Sequence, residues 1–341
     1  MAPGSHETTL QQPRLDPAGA ERLAAALYGI TGRASQLPSE RDCNFRIDGP
    51  DGTTHVLKVF NEAENPEFIH AQARTMRLLN GRVGPVFPLP AAALTGALTT
   101  SWHSGAAQHA VWLQPFLPGT VAAEVKDLPE GLLEDAGRTL GKMTAVLAHH
   151  DEPAARRQFA WTADSAPDVI RAGLKHLPAA RRTLLENVLA GFTTHTAPRL
   201  AELRRSLIHN DVNDHNLLVH GDRVSGILDF GDMVESFTVC DPAHALAYLL
   251  LDRDRPLEII RVFLGAWTRE FPLPAVELPT VYDFVRLRLA LSVTMSARQQ
   301  ALRPDDPYLS VSEAAAWRLL ERFDTGSITR RAFTAAGGAM T

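Results

Sequence analysis

Cysteine is scarce: Cys43 and Cys240 are the only two in 341 residues. That count excludes a disulfide scaffold and reads as a reduced intracellular chain in which both are small packing residues. Positive charge is in deficit too. A net charge of −5, with no basic run and no zinc-finger spacing, argues against nucleic acid as a partner. Long apolar runs are missing as well; the most apolar late stretch, Ala243 to Leu251, falls far short of the roughly 18 residues of a membrane span. Met1 to Pro17 is polar, with Pro3, Pro13 and Pro17, and lacks the basic and apolar regions of a secretory signal. Residues 1–18 are therefore expected to form a disordered tail, and the protein to be cytoplasmic. No internal repeat is present, and apart from the ends the only biased segment is the Ala/Thr/Gly-rich patch Ala91 to Ala107.

Hydrophobic residues at 45% and charged residues at 21% describe a globular chain able to bury a substantial core, which excludes disordered and fibrous classes for its bulk. The length suits two lobes sharing a cleft, 19–117 and 118–341. The chemistry concentrates between His209 and Asp241. There His209, Asp211 and Asn216 form H-x-D-x-x-x-x-N, and Asp229-Phe230-Gly231 follows. Leu217 to Val219 and Val224 to Phe230 are apolar runs separated by the turn residues His220-Gly221-Asp222, a β-hairpin pattern that sets Asn216 and Asp229 at neighbouring ends. Phosphoryl transfer needs a carboxylate to orient and deprotonate the attacking hydroxyl, and oxygen ligands to hold Mg2+ against nucleotide phosphates. Asp211 suits the first task; Asn216 and Asp229 suit the second. The plain alternative is a set of polar turn residues around an ordinary hairpin. His209 reads as a brace for the loop, since histidines at that position usually hold backbone.

This run, HNDVNDHNLLV with VSGILDFGDM, resembles the aminoglycoside phosphotransferase and choline kinase superfamily, and is similar in particular to hydroxylysine kinases. The resemblance implies an α+β, bilobal, protein-kinase-like fold with a small β-rich nucleotide lobe and a larger, mostly helical lobe. It further implies Asp211 as base, Asn216 and Asp229 as metal ligands, Mg2+, and ATP or GTP as donor to the hydroxyl of a small amino acid.

In the first lobe, Ala20 to Tyr28 has a helical pattern, and Asn44 to Ile47 and Val56 to Phe60 read as strands across the Gly49-Pro50-Asp51-Gly52 turn. Lys58, charged amid apolar neighbours in VLKVF, needs a partner such as a nucleotide phosphate, unless it lies on the solvent face of an edge strand. The turn Ser39 to Asn44 has no glycine, which excludes a glycine-rich phosphate loop; Ser39 and Asn44 loosely match phosphate-turn positions of the resembled family. Pro66 to Asn80 carries a helical stripe. Where kinases place a glutamate to pair with the strand lysine stands Gln72, so Gln72, Glu67 or neither holds Lys58. His109 to Leu117 reads as a strand ending at the Pro118-Gly119 turn, with backbone near Gln114 and Leu117 meeting the purine.

Glu130 to His150 is the clearest helix, with Leu132, Leu133, Ala136, Leu140, Met143 and Leu147 on one stripe. Asp241-Pro242 has the form of a helix N-cap and first-turn proline. So short an interval after Gly231, with no A-P-E, leaves no activation segment and points to a small-molecule acceptor. Val281 to Gln300 is helical in pattern, and its Arg288, with Ser292 one turn on, suits a substrate carboxylate or else a local surface acid. Asp232 and Glu235 suit the metal or a substrate ammonium, or simply solvate their loop. The expected function is transfer of phosphate from a nucleoside triphosphate to a 5-hydroxylysine-like hydroxy amino acid. Alternatives are an aminoglycoside, another amino alcohol, a peptide serine or threonine, or an idle nucleotide-binding scaffold.

Overall fold

Caps set the first helix of the computed structural model, which describes residues 12–39, 41–302 and 312–338. The expected tail over residues 1–11 and Glu40 of the phosphate turn lie outside these. Asp16 accepts the Gly19 N–H, Pro17 opens the helix and Gly29, at φ 68°, closes it, giving α1 as Pro17–Tyr28. The helix thus begins within the stretch expected to be a tail, and Leu15 before it packs against the core. β1 (Arg33–Leu37), β2 (Cys43–Asp48) and β3 (Thr54–Val59) follow, then α2 (Pro66–Arg82), β4 (Thr100–Ser104) and β5 (Ala107–Pro115). The strands form one antiparallel sheet ordered β1-β2-β3-β5-β4. β4 falls inside the Ala/Thr/Gly-rich patch and is recruited by pairing with β5, which sets Trp102 opposite His109.

Strand alternation then assigns the faces. Cys43, Val59 and Val111 form one row across β2, β3 and β5, and Phe45, Leu57 and Leu113 another; both join the core that includes Ala20, Leu23, Ala24 and Tyr28 of α1. The intervening row, Asn44, Lys58 and Trp112, therefore lies on the opposite face.

Contacts divide the chain between Leu117 and Pro118 into two compact units. The second contains β6 (Thr120–Val121), α3 (Glu130–Leu147), α4 (Ala166–Gly173), α5 (Ala179–His195), β7 (Arg205–Ile208), β8 (Leu217–His220), β9 (Arg223–Ile227) and β10 (Val234–Phe237). α6 (Cys240–Leu249), α7 (Pro256–Glu270), α8 (Leu278–Leu302), α9 (Glu313–Asp324) and α10 (Arg330–Gly338) complete it. β6, β8 and β9 form one small sheet and β7 pairs with β10 in another. All ten residues of α6 are buried, so its polar members, Asp241 and His244, must find partners inside the protein. Asp135 of α3 accepts the Val224 N–H at 2.9 Å and Arg223 at 2.7 Å, tying the main helix to the β8–β9 hairpin. Among the described residues no helix is long and apolar enough to cross a membrane.

α3 and α7 approach through two glycines one turn apart. A Cβ on Gly137 would stand 2.2 Å from the Phe263 carbonyl oxygen, and one on Gly141 2.7 Å from that of Trp267. Backbone cannot yield as a side-chain tip can. Gly137→Ala is expected to cost about 1–3 kcal/mol by overpacking, read as a lower Tm. Gly81→Ala in α2, where the added Cβ meets nothing within 4 Å, should be neutral or stabilise by up to about 1 kcal/mol.

Candidate active site

The loop after β7 is held from both sides by α6. Asn210 stands at φ 69°, a conformation that asparagine tolerates better than most residues. Its N–H donates to Asp241 Oδ1 at 3.1 Å, and its carbonyl accepts from His244 Nδ1 at 2.9 Å. Asp241, His244 and Tyr248 recur at helical spacing on an otherwise apolar helix, so one stripe of α6 serves the loop. Asp241 is therefore not the cap of its own helix, where Val239 stands; it braces Asn210. Burial pushes its carboxyl up to about 7. Burial and the nearby Arg288 charge push His244 down to about 3, keeping it neutral.

His209 joins this loop to the D-F-G segment. Its Nδ1 accepts the Asp211 N–H at 3.3 Å, so Nε2 carries the proton and donates to the Leu228 carbonyl at 3.0 Å. Burial pushes its pKa down to about 4 against the pull of Asp229, and its ring meets Phe230 edge-on at 4.5 Å. The hairpin expected from sequence forms, pairing Leu217 with Ile227, and the Leu228 N–H donates to the Asn216 carbonyl at 2.8 Å. Its open end thus brings Asn216 beside the residue preceding Asp229. Asp229 is exposed, at φ 56°, with Oδ1 accepting the Gly231 N–H at 3.0 Å.

Asp211 is restrained by three side chains. Asn213 and Asn216 donate to Oδ2 at 3.1 and 2.8 Å, and Arg288 Nη2 donates to Oδ1 at 2.6 Å. Burial raises the Asp211 carboxyl well above the ordinary carboxylate range, Arg288 pulls it back part of the way, and Asp232 and Asp229 add to the rise. Arg288 also donates to Tyr248 Oη at 3.2 Å and the Trp161 carbonyl at 3.5 Å, and Ser292 lies near enough to Tyr248 to pull its hydroxyl pKa down against burial. Arg288 and Ser292 thus lie behind the candidate base. The carboxylate that the sequence analysis expected Arg288 to meet is, in the structure, Asp211. Asp232 is close enough to raise Asp211, whereas Glu235 turns to Arg156, 2.9 Å away.

In the first unit Lys58 pairs with Asp42 at 3.1 Å. Neither anticipated partner takes that contact: Glu67 is exposed and pairs with Arg74 at 2.7 Å, and Gln72 is buried with neither amide atom hydrogen-bonded among the described residues. Ser39 accepts the Asp42 N–H at 3.2 Å, closing the turn, while the buried Asn44 Oδ1 meets no hydrogen-bond partner among the described residues. Gln114 gives its side-chain amide to the Pro88 carbonyl, and Leu117 ends the unit. Sequence reasoning missed Asn213, Trp161, His244, Tyr248 and Arg157, whose Nη2 donates to the Gly231 carbonyl at 2.6 Å. The polar spacing within AHALAYLLL was a usable signal for two of them.

The donor set is suited to a hard cation. Because the Asn216 amide nitrogen faces the Asp211 carboxylate, its oxygen is left to point elsewhere, and exposed Asp229 could offer a carboxylate oxygen alongside it. Mg2+ commonly takes one or two protein oxygens with phosphate oxygens completing its shell. A restrained carboxylate beside such a pair, on a mixed helix-and-sheet chain with a small antiparallel lobe, belongs to kinases that phosphorylate an alcohol, and this protein is a kinase of that class. More particularly, the chain belongs to the phosphotransferase enzyme family APH, whose family model matches residues 33–278. It is 28% identical to hydroxylysine kinase of Danio rerio over 92% of this chain and 93% of that one, and 29% identical to that of Xenopus laevis over 94% and 93%. A solved amicoumacin kinase in complex with AMP-PNP and Ca2+ shares the fold, with TM-score 0.69 and 19% identity over 90% of this chain and 96% of that one.

Asp241 offers a test of the loop's brace. A carboxyl whose pKa rises from 3.8 to about 7 on folding favours the folded state below its unfolded pKa and withdraws that support as pH rises through about 7. Asp241→Asn keeps an acceptor for the Asn210 N–H and loses the charge. Between about pH 5.5 and about pH 8.5 the wild-type Tm should fall relative to the variant, by roughly 2–4 °C for each kcal/mol. A gap that stays constant across this range in thermal melts would remove Asp241 from the alkaline side of the stability curve.

Proposed function

We propose that the protein is a Mg2+-dependent kinase that transfers the γ-phosphoryl group of ATP or GTP to the side-chain hydroxyl of a hydroxy amino acid of the 5-hydroxylysine type. The observation that carries the chemistry is Asp211, restrained and partly exposed beside Asn216 and Asp229. The acceptor class is supported by similarity to hydroxylysine kinases over most of both chains. Asp211 orients the acceptor hydroxyl and takes its proton, a contribution worth about 10²–10⁴-fold. Asn216, through its amide oxygen, and Asp229 would hold the metal, and Lys58 is the cation for the nucleotide phosphates. A bound Mg2+ supplies neutralisation of charge on the phosphoryl oxygens. Asp232 is the acid assigned to an acceptor ammonium. Both cysteines are free and buried, which suits a reducing, cytoplasmic setting.

The test is nucleoside diphosphate release with ATP or GTP and Mg2+ across hydroxy amino acids, choline-like amines and aminoglycosides. Turnover is expected on 5-hydroxylysine or a close hydroxy amino acid, and Asp211→Ala should lower kcat by about 10²–10⁴-fold while nucleotide still binds. Lys58→Met should chiefly raise the nucleotide KM. Nucleotide binding without turnover on any acceptor would shift the reading to a peptide substrate or an idle scaffold.

A further inference from the structure

The two oxygens of Asp211 are not equivalent. Oδ2 accepts both the Asn213 and the Asn216 amide, whereas among the described residues Oδ1 accepts Arg288 alone, at 2.6 Å. An ionised carboxylate is acceptor-only, with about two lone-pair sites on each oxygen. Oδ2 is therefore filled, and a hydroxyl seeking this carboxylate has the remaining site on Oδ1.

Arg288 stands behind that oxygen. Its side chain is 2% exposed, against 19% for Asp211. The guanidinium is pinned by Tyr248 Oη and the Trp161 carbonyl, and it lies over the Trp161 ring at 5.0 Å and the Tyr248 ring at 5.6 Å. Phe284, Leu287 and Leu291 line the apolar recess beside it. A substrate carboxylate could pair with so enclosed a cation only by displacing Asp211. A planar fork held by three hydrogen bonds and two ring faces is instead a fixed datum for the one carboxylate oxygen it touches.

We infer that Arg288 is a positioning residue for the base: with Asn213 and Asn216 it orients Asp211 so that the acceptor hydroxyl is met at Oδ1, and it does not anchor the acceptor's carboxylate. The inference rests on the reading of Asp211 as the proton acceptor. Tyr248 takes part by holding Arg288 Nε.

The experiment compares wild type, Arg288→Lys and Tyr248→Phe on 5-hydroxylysine and on its carboxamide, which keeps the hydroxyl and loses the carboxylate. Nucleotide affinity is measured alongside as a check on folding. Arg288→Lys keeps the charge but not the fork, so kcat should fall by about 10²-fold with both acceptors, each KM staying within about twofold of its wild-type value. Tyr248→Phe removes one bond to the guanidinium and should lower kcat about tenfold in the same acceptor-independent way. A loss in Arg288→Lys confined to the KM of the carboxylate-bearing acceptor would make Arg288 a substrate anchor and overturn the inference, as would an unchanged kcat. If Arg288→Lys loses nucleotide affinity, Tyr248→Phe decides by the same criterion. A wild type inactive on both acceptors overturns the acceptor reading itself, independently of the variants, and the inference falls with it.

Discussion

A buried guanidinium against a carboxylate, Arg288 on Asp211, is the contact around which the second unit is arranged. Taking both charges out of water is costly, and their attraction repays that cost only where geometry is good and the remaining donors are satisfied. Here the satisfaction comes from distant parts of the chain. α8 delivers Arg288, α6 delivers Tyr248, the segment before α4 delivers the Trp161 carbonyl, and the loop after β7 delivers Asp211. Each element must be in place before the pair can be.

The same economy governs the loop itself. A left-handed Asn210 is sparsely populated backbone, and such residues persist where their surroundings over-determine them. Asp241 and His244 do so from one helical face, taking the Asn210 N–H and carbonyl respectively. His209 extends the restraint to Leu228, and from there the Leu228 N–H reaches Asn216. Asp211, Asn216 and the D-F-G aspartate are thus spaced by a continuous set of backbone-directed bonds, the kind of network that restrains its members.

The first unit is simpler because strand alternation settles it. Once Phe45, Leu57 and Leu113 turn to the α1 side, Lys58 must emerge on the other, in a row with Asn44 and Trp112. Its ion partner, Asp42, comes from the glycine-free turn rather than from α2. The turn from Ser39 to Asn44 therefore carries an acid and is closed by the Ser39 hydroxyl.

Much was legible in the residues alone. The order and spacing of His209, Asp211, Asn216 and Asp229 carry the resemblance to the phosphotransferase family, and apolar periodicity marks the hairpin and the long helices, because both are local properties of the chain. The kinase-like fold and the alcohol-acceptor class follow from that resemblance. What a residue three helices further along the chain will touch is not local. Arg288 read as suited to a substrate carboxylate or else a local acid, because a sheltered arginine needs an anion, and sequence shows the need but not the partner; only packing of α6 against α8 brings Asp211 into reach. Asp241 read as a cap because Asp-Pro often is one, while its burial against Asn210 required the folded core. Sequence left open whether Gln72, Glu67 or neither meets Lys58, and whether Glu235 serves a site or its loop, for the same reason: a side chain's partner is decided by which neighbours the tertiary structure brings within hydrogen-bond range.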